Sequence, residues 1–180
     1  MKNLNIPNRL SILRMCLVPV CVLLLYLPGQ TARTAALIVF CIAAFTDFLD
    51  GQIARRQHIV TTFGKFIDPV ADKLLVCSAM ICLVDMSRIP SWIVIIIIGR
   101  EFVISGFRLI ASDNGVVIAA NYWGKCKTVC QMFMIIMLIA NLGGGFVIVE
   151  QILIYASLIL TVISLITYLW QNRSVLSMQE

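Results

Sequence analysis

The chain has 180 residues, of which 61% are hydrophobic and 13% charged, and its formal net charge is +5. A water-soluble domain of this size needs far more polar surface than that. The composition therefore excludes an ordinary soluble enzyme and points to lipid as the surrounding solvent.

The chain opens on a polar stretch, residues 1–8, which lacks the basic region, short apolar core and small-residue cleavage site of a removable leader. A retained N-terminus is expected. Residues 2–14 mix apolar and basic side chains and read as a short interfacial segment ahead of the first span. In a bilayer every backbone polar group must be satisfied internally, so long apolar runs mean helices. Six are expected, over 11–27, 33–57, 66–85, 91–110, 122–141 and 147–170. Turn chemistry separates them. Pro28-Gly29 ends the first, Pro90-Ser91 precedes the fourth, Ser112-Asp113-Asn114-Gly115 follows it, and Gly143-Gly144-Gly145 joins the last two. There is no long linker, charge run or low-complexity stretch, so one membrane domain over 1–180 is expected.

The seven cysteines lie in or beside apolar runs without CxxC spacing, and read as small apolar helix residues kept reduced. The single histidine, His58, falls in a turn and reads as a solvated loop residue.

An even number of spans puts both termini on one side. If that side is the cytoplasm, twelve of the fourteen Lys and Arg residues lie on or towards it, and only Arg33 and Arg88 lie outside. The positive-inside rule then fixes the orientation. Trp92, Trp123, Trp170, Tyr26 and Tyr168 fall near span ends and are expected to act as interfacial anchors.

Four of the nine acids cluster within 47–72. Asp47 and Asp50 are three apart and share a helix face, with Ala54 one turn on; Asp68 and Asp72 are four apart and share another. The pairs belong to consecutive helices, so an antiparallel hairpin brings them opposite each other near the cytoplasmic side. Salt bridges to Arg55, Arg56, Lys65 and Lys73, or simple solvation, could also hold such acids. Neither explains why they come as two helix-face pairs among small residues. Hard oxygen ligands with no Cys or His in the set suit Mg²⁺, Mn²⁺ or Ca²⁺ rather than Zn²⁺. Carboxylate-bound Mg²⁺ commonly completes its shell with substrate phosphates, and two such ions can clamp a phosphoryl group. Gly51, Ala54 and Gly64 leave room for a bulky ligand, though each is equally at home in helix packing. Arg55 offers a guanidinium to a phosphate.

The stretch from Asp47 to Asp72 reads D-x2-D-G-x2-A-R-x8-G-x3-D-x3-D. It resembles, at every fixed position, the signature of the CDP-alcohol phosphatidyltransferases. Within that family the chain is most similar to the bacterial phosphatidylglycerophosphate synthases. The likeness extends to Asn5-Ile6-Pro7-Asn8, Leu10-Ser11 and Arg14 with Pro19, to Gly64-Lys65-Phe66 and Asp68-Pro69, to Arg100-Glu101-Phe102 with Arg108, and to Gly124-Lys125 with Lys127-Thr128.

The resemblance implies an all-α integral membrane enzyme in the inner (cytoplasmic) membrane, with its active site facing the cytoplasm. It implies transfer of a phosphatidyl group from CDP-diacylglycerol to the primary hydroxyl of glycerol 3-phosphate, releasing CMP. It makes Asp47, Asp50 and Asp68 metal ligands. Asp72 becomes the general base, with reach to a metal as well. Two Mg²⁺ or Mn²⁺ ions, a CDP-lipid site lined by Asn8, Gly51, Ala54, Arg55 and Gly64, and a homodimer in membrane lipid follow in the same way. No nucleic-acid partner is expected.

The acceptor's own phosphate needs cations. Arg100 and Arg108 are eight apart, about two helical turns, on one face of the fourth span, and Lys125 and Lys127 begin the fifth. Arg108, Arg100 and Lys125 are the candidate pocket, with snorkelling to lipid headgroups as the competing reading. Glu101 is placed to pair with a neighbouring cation. A basic pocket favours a phosphorylated acceptor over serine or free inositol. It leaves glycerol phosphate and inositol phosphate open, and a cardiolipin synthase stays within the family. From another class, four intramembrane acids could line a divalent-cation path, but they lie at one membrane side with no paired interrupted helices.

Overall fold

The computed structural model describes residues 6–57, 62–113 and 121–173, and the side chains among them except at 6–10, 47–57, 62–69, 72, 112 and 113. Six helices make up the described residues, with no strand among them: α1 (Ile6–Tyr26), α2 (Gln30–Gln57), α3 (Thr62–Asp85), α4 (Ser91–Asp113), α5 (Tyr122–Ala140) and α6 (Phe146–Gln171). Their number and order follow the six apolar runs.

Among the described residues, 6–14 are helical and continuous with the first apolar run, as α1 begins at Ile6. Pro7 falls in its first turn, where a backbone N–H has no intrahelical partner anyway, so proline costs nothing there. Polar residues at 8, 9 and 11 do not interrupt a helix that Leu10, Ile12 and Leu13 propagate.

The turns are made by backbones in the left-handed region. Gly29 (φ 108°) separates α1 from α2, and Gly143 (φ 70°) and Gly144 (φ 57°) separate α5 from α6. A Cβ is disfavoured at such φ, which is why glycine stands there. At the end of α3 the same job falls to a serine. Ser87 has φ 57°, its N–H donates to the Val84 carbonyl at 2.8 Å, and the Arg88 N–H donates to the Leu83 carbonyl at 2.8 Å. This is a Schellman closure, with Ser87 where glycine normally stands. Asn141 (φ 46°) follows the end of α5 in the same way.

The chain divides into two compact units. Unit 1 comprises Met1–Arg88 with Leu138–Asn141, and unit 2 comprises Ile89–Met137 with Leu142–Glu180. In unit 1, α1 packs on both α2 and α3. The buried stripe of α1 runs Ser11, Arg14, Val18, Cys21, Leu25, at helical spacing. Opposite it stand Ala36, Phe40 and Ala43 of α2, all without exposed surface, and Ala71, Leu75, Ala79 and Cys82 of α3. The Cys21 thiol donates to the Ala36 carbonyl at 3.8 Å, a mark of how closely these small residues let α1 and α2 approach.

Unit 2 has its polarity inside and its apolar surface outside. The buried stripe of α6 is Glu150, Ile154, Ser157, Thr161, Ser164 and Tyr168. The residues it turns outward include Ile152, Ile159, Val162, Ile166 and Trp170. Water would reverse that arrangement; lipid favours it, since apolar side chains lose nothing by facing hydrocarbon. Among the described residues α5 and α6 are long and apolar enough to cross a membrane, and α1 and α2 carry shorter apolar stretches, Ser11–Tyr26 and Gln30–Thr46.

One expected anchor is corrected. Trp92, Trp123, Trp170 and Tyr26 are exposed, but Tyr168 is 1% exposed. It stacks edge-on against Phe107 at 5.8 Å and packs with Ile104 and Ala111 of α4. It lies on the inward stripe of α6, and closeness to a span end says nothing about which face a residue takes.

Candidate active site

The acid motif lies in unit 1, where α2 and α3 provide unbroken helical backbone under both pairs. The inward series of α2, Ala36, Phe40 and Ala43, continues at the same spacing through positions 47, 50 and 54. In α3 the series Ala71, Leu75, Ala79 and Cys82 runs back through position 68, and Leu75, Ala79 and Leu83 run back through position 72. Register thus sets positions 47 and 50 on the buried stripe of α2 and positions 68 and 72 on that of α3. The side chains of Asn8, Asp47, Asp50, Gly51, Ala54, Arg55, Gly64, Asp68 and Asp72 lie outside the described residues, as does His58 altogether. The donor set fits a hard divalent cation: four carboxylates at helix-face spacing on two consecutive helices, with no soft ligand among them.

Sequence reasoning gave Arg14 no role at this site. It has no exposed surface, is engaged within the chain, and stands on the α1 stripe towards the end of unit 1 that carries the acids. The available signal was its register: Arg14 falls in step with Ser11, Val18, Cys21 and Leu25, so a cation occupies an otherwise inward stripe.

Unit 2 holds the candidate acceptor cations, and the structure gives them different surroundings. Arg100 is 9% exposed. Its Nη1 donates to Glu101 Oε1 at 2.7 Å and its Nη2 donates to Ser164 Oγ. Gly124 makes that second contact possible, because a Cβ there would stand 3.3 Å from Arg100 Nη2 and 3.6 Å from Ser164 Oγ. Lys127, 2% exposed, donates to the same Glu101 oxygen at 2.6 Å. Glu101 thus pairs with a neighbouring cation as anticipated, and with a second one from α5. Two cations and one anion leave this buried cluster at a formal +1.

Arg108 and Lys125 are exposed. Arg108 Nε donates to Tyr168 Oη at 3.4 Å, and its guanidinium carbon lies 5.8 Å from the Tyr168 ring centroid, within cation–π range. Asn121, just ahead of α5, donates through Nδ2 to Thr167 Oγ1 at 3.1 Å. The Lys125 N–H closes the first turn on the Asn121 carbonyl. Arg108 and the start of α5 therefore meet α6 at one level, around Thr167 and Tyr168. These contacts also give directions: α4 and α6 run the same way, and α5 runs against them.

Comparison with known proteins bears on the same residues. The CDP-alcohol phosphatidyltransferase family pattern matches residues 4–163. A protein of Bacillus subtilis (strain 168) named CDP-diacylglycerol–glycerol-3-phosphate 3-phosphatidyltransferase is 41% identical over 143 residues, 73% of this chain and 74% of its own length. Proteins of the same name from Rickettsia typhi (strain ATCC VR-144 / Wilmington) and Haemophilus influenzae (strain ATCC 51907 / DSM 11121 / KW20 / Rd) are similar over more of the chain. The first is 37% identical over 91% of this chain and 94% of its own length. The second is 39% identical over 92% and 91%. With the acid motif on two unbroken helices, and with such identity over nine tenths of its length, this chain belongs to the CDP-alcohol phosphatidyltransferase family.

Proposed function

We propose that the chain transfers the phosphatidyl group of CDP-diacylglycerol to glycerol 3-phosphate, giving phosphatidylglycerol phosphate and CMP. The observation that carries this reading is the identity, over nine tenths of both chains, to relatives named for that reaction. The eight fixed motif residues between Asp47 and Asp72 agree with it.

Asp47, Asp50 and Asp68, with Asp72 in reach, would hold two divalent cations, Mg²⁺ or Mn²⁺, which when bound neutralise charge on the pyrophosphate. The chain's own residues do the rest. Asn8, Gly51, Ala54 and Gly64 line the CDP-lipid site, and Arg55 supplies a guanidinium to a phosphate there. Asp72 accepts the proton of the acceptor's primary hydroxyl as its oxygen bonds to the lipid-bearing phosphorus. The bond from that phosphorus to the CMP oxygen breaks, and CMP leaves with the electron pair.

Arg108, Lys125 and Arg100 hold the acceptor phosphate. Arg108 and Lys125 present exposed charge, and Arg100 contributes through the net positive cluster behind them. All six helices span the membrane with both termini cytoplasmic, as one membrane domain, in the inner membrane and as a homodimer. The outward apolar faces, the alternating directions of α4, α5 and α6, and the excess of Lys and Arg on one side support this topology.

The test is an acceptor panel in detergent. Purified protein receives CDP-diacylglycerol with glycerol 3-phosphate, phosphatidylglycerol, inositol phosphate or serine, and CMP and lipid product are scored with and without divalent metal. Metal-dependent CMP release with glycerol 3-phosphate alone is the expected result. Turnover only with another acceptor reassigns the substrate, and no CMP release with any acceptor removes the enzymatic reading.

A further inference from the structure

Unit 1 has a second polar feature, remote from the acid motif. A cavity of about 190 Å³ lies where α1 ends, α2 begins and α3 ends, lined by Leu25, Arg33, Leu83, Arg88, Ile139 and Asn141 among others. Every lining residue belongs to unit 1. At 1.5 Å per residue, Arg33 is roughly 21 Å along α2 from Asp47, and Leu83 roughly 17 Å along α3 from Asp72. The cavity is therefore not part of the acid site.

Charge is the first guide to its ligand. The ionisable residues lining it are both arginines, and Asp85, one turn before Arg88, is not among the lining residues. Arg33 and Arg88 are also the two cations that the sequence separates from the other twelve. Arg88 has an interaction within the chain as well. The second guide is the floor. Leu25, Leu83 and Ile139 are 4%, 1% and 1% exposed, and a guanidinium above an apolar floor attracts an anion more strongly than one surrounded by water.

The third guide is the backbone. Ser87 and Asn141 are the only non-glycine residues with positive φ among the described residues. Asn141 lines the cavity, and Ser87 sets the Schellman turn whose next residue is Arg88. Backbone strain of this kind concentrates at ligand clamps. Here both instances fix the approach of cavity walls.

We propose that this cavity binds a phosphate group at the end of unit 1 opposite the acid motif, carried by an anionic phospholipid headgroup or free in solution. Its volume falls below the roughly 300–1,000 Å³ of pockets that enclose a whole small-molecule ligand. It accommodates a headgroup phosphate and its nearest atoms, but not a nucleotide. In the proposed topology it faces the outer leaflet; the binding itself is independent of the transferase reading.

Full-length protein in a neutral detergent is titrated with short-chain phosphatidylglycerol, short-chain phosphatidylcholine and inorganic phosphate, and bound species are counted by native mass spectrometry. Phosphatidylglycerol should bind more tightly than phosphatidylcholine. Its affinity should fall about tenfold or more in Arg33→Gln/Arg88→Gln, as expected for losing charge-assisted bonds to a phosphate, and recover substantially in Arg33→Lys/Arg88→Lys. CMP release by these variants reports that they are folded. Displacement of the lipid by inorganic phosphate assigns a site for the bare group, and resistance to displacement assigns the lipid. Equal affinity of wild type and the glutamine variant for both probes overturns the proposal. Should that variant fail to fold, a phosphatidylglycerol with a photoreactive headgroup is cross-linked to wild-type protein. Labelling within 25–33 and 83–88 supports the site, and labelling confined to other segments overturns it.

Discussion

The two units handle charge in opposite ways. In unit 1 the acid positions prolong the buried stripes of α2 and α3, and α1 of the same unit buries Arg14. In unit 2 Arg100, Glu101, Lys127 and Ser164 compensate one another across α4, α5 and α6. Under the proposed function the acids of unit 1 would take an ion from outside, whereas the buried charge of unit 2 has partners encoded in the chain. Only the first leaves coordination capacity for a substrate. Unit 1 reads as the place of chemistry and unit 2 as a preassembled cationic platform.

The largest effect expected from breaking this contrast is at the acid motif. Asp72→Asn should lower turnover by about 10²–10⁴-fold, the range of general base catalysis, while CDP-diacylglycerol binding persists in part. CMP release and CDP-lipid binding measured side by side decide it, and near-normal turnover would refute Asp72 as the base. In unit 2, Glu101→Gln leaves Arg100 and Lys127 without their shared anion. It should destabilise the protein by about 3–5 kcal/mol, as removing one partner of a buried pair does. Thermal unfolding in detergent reads this. The double variant Glu101→Gln/Lys127→Met keeps the cluster at +1 and should regain part of the loss; no regain would show that the cluster is not an electrostatic unit.

Arg108→Gln should raise the KM for glycerol 3-phosphate about tenfold, the worth of one hydrogen-bonded charge on a phosphate, with the KM for CDP-diacylglycerol little changed. An unchanged acceptor KM removes Arg108 from the pocket. The smallest effect belongs to Ser87→Gly, which relieves a left-handed serine and should stabilise the protein by about 1 kcal/mol. A loss of stability on the same unfolding assay would mean that the serine side chain has a compensating role.

Much of this arrangement was legible in the sequence, for reasons that also mark where legibility stopped. Apolar runs broken by Pro28-Gly29, Pro90-Ser91 and three consecutive glycines locate helices because lipid leaves the backbone no alternative. The acid pairs could be placed on helix faces because their spacing is local. Partners far apart in sequence could not be placed that way. Arg100 and Ser164 are 64 residues apart, and nothing near Arg100 announces that its two terminal nitrogens are engaged inside unit 2. Lys125 and Lys127 look equivalent in sequence, yet two positions along a helix turn one outward and the other into the cluster. Tyr168 was misjudged for the same reason. Ser87 gave no warning either, since the left-handed turn it makes normally advertises itself through glycine or asparagine.

The hydroxyls of α6 have a consequence for biogenesis. Thr161 donates to the Ser157 carbonyl at 2.7 Å and Thr167 to the Ile163 carbonyl at 2.6 Å, both one turn back on the same helix. Those groups are satisfied before any other helix arrives. As a hypothesis, α6 can therefore leave the translocon as an independent segment with Glu150, in its second turn, held at the interface, whereas the buried Lys127 of α5 pairs with Glu101 of α4. Glycosylation-site mapping of α6 placed alone in a leader-peptide host would test this. Failure of the isolated segment to integrate would mean that α6 enters the bilayer only together with its neighbours.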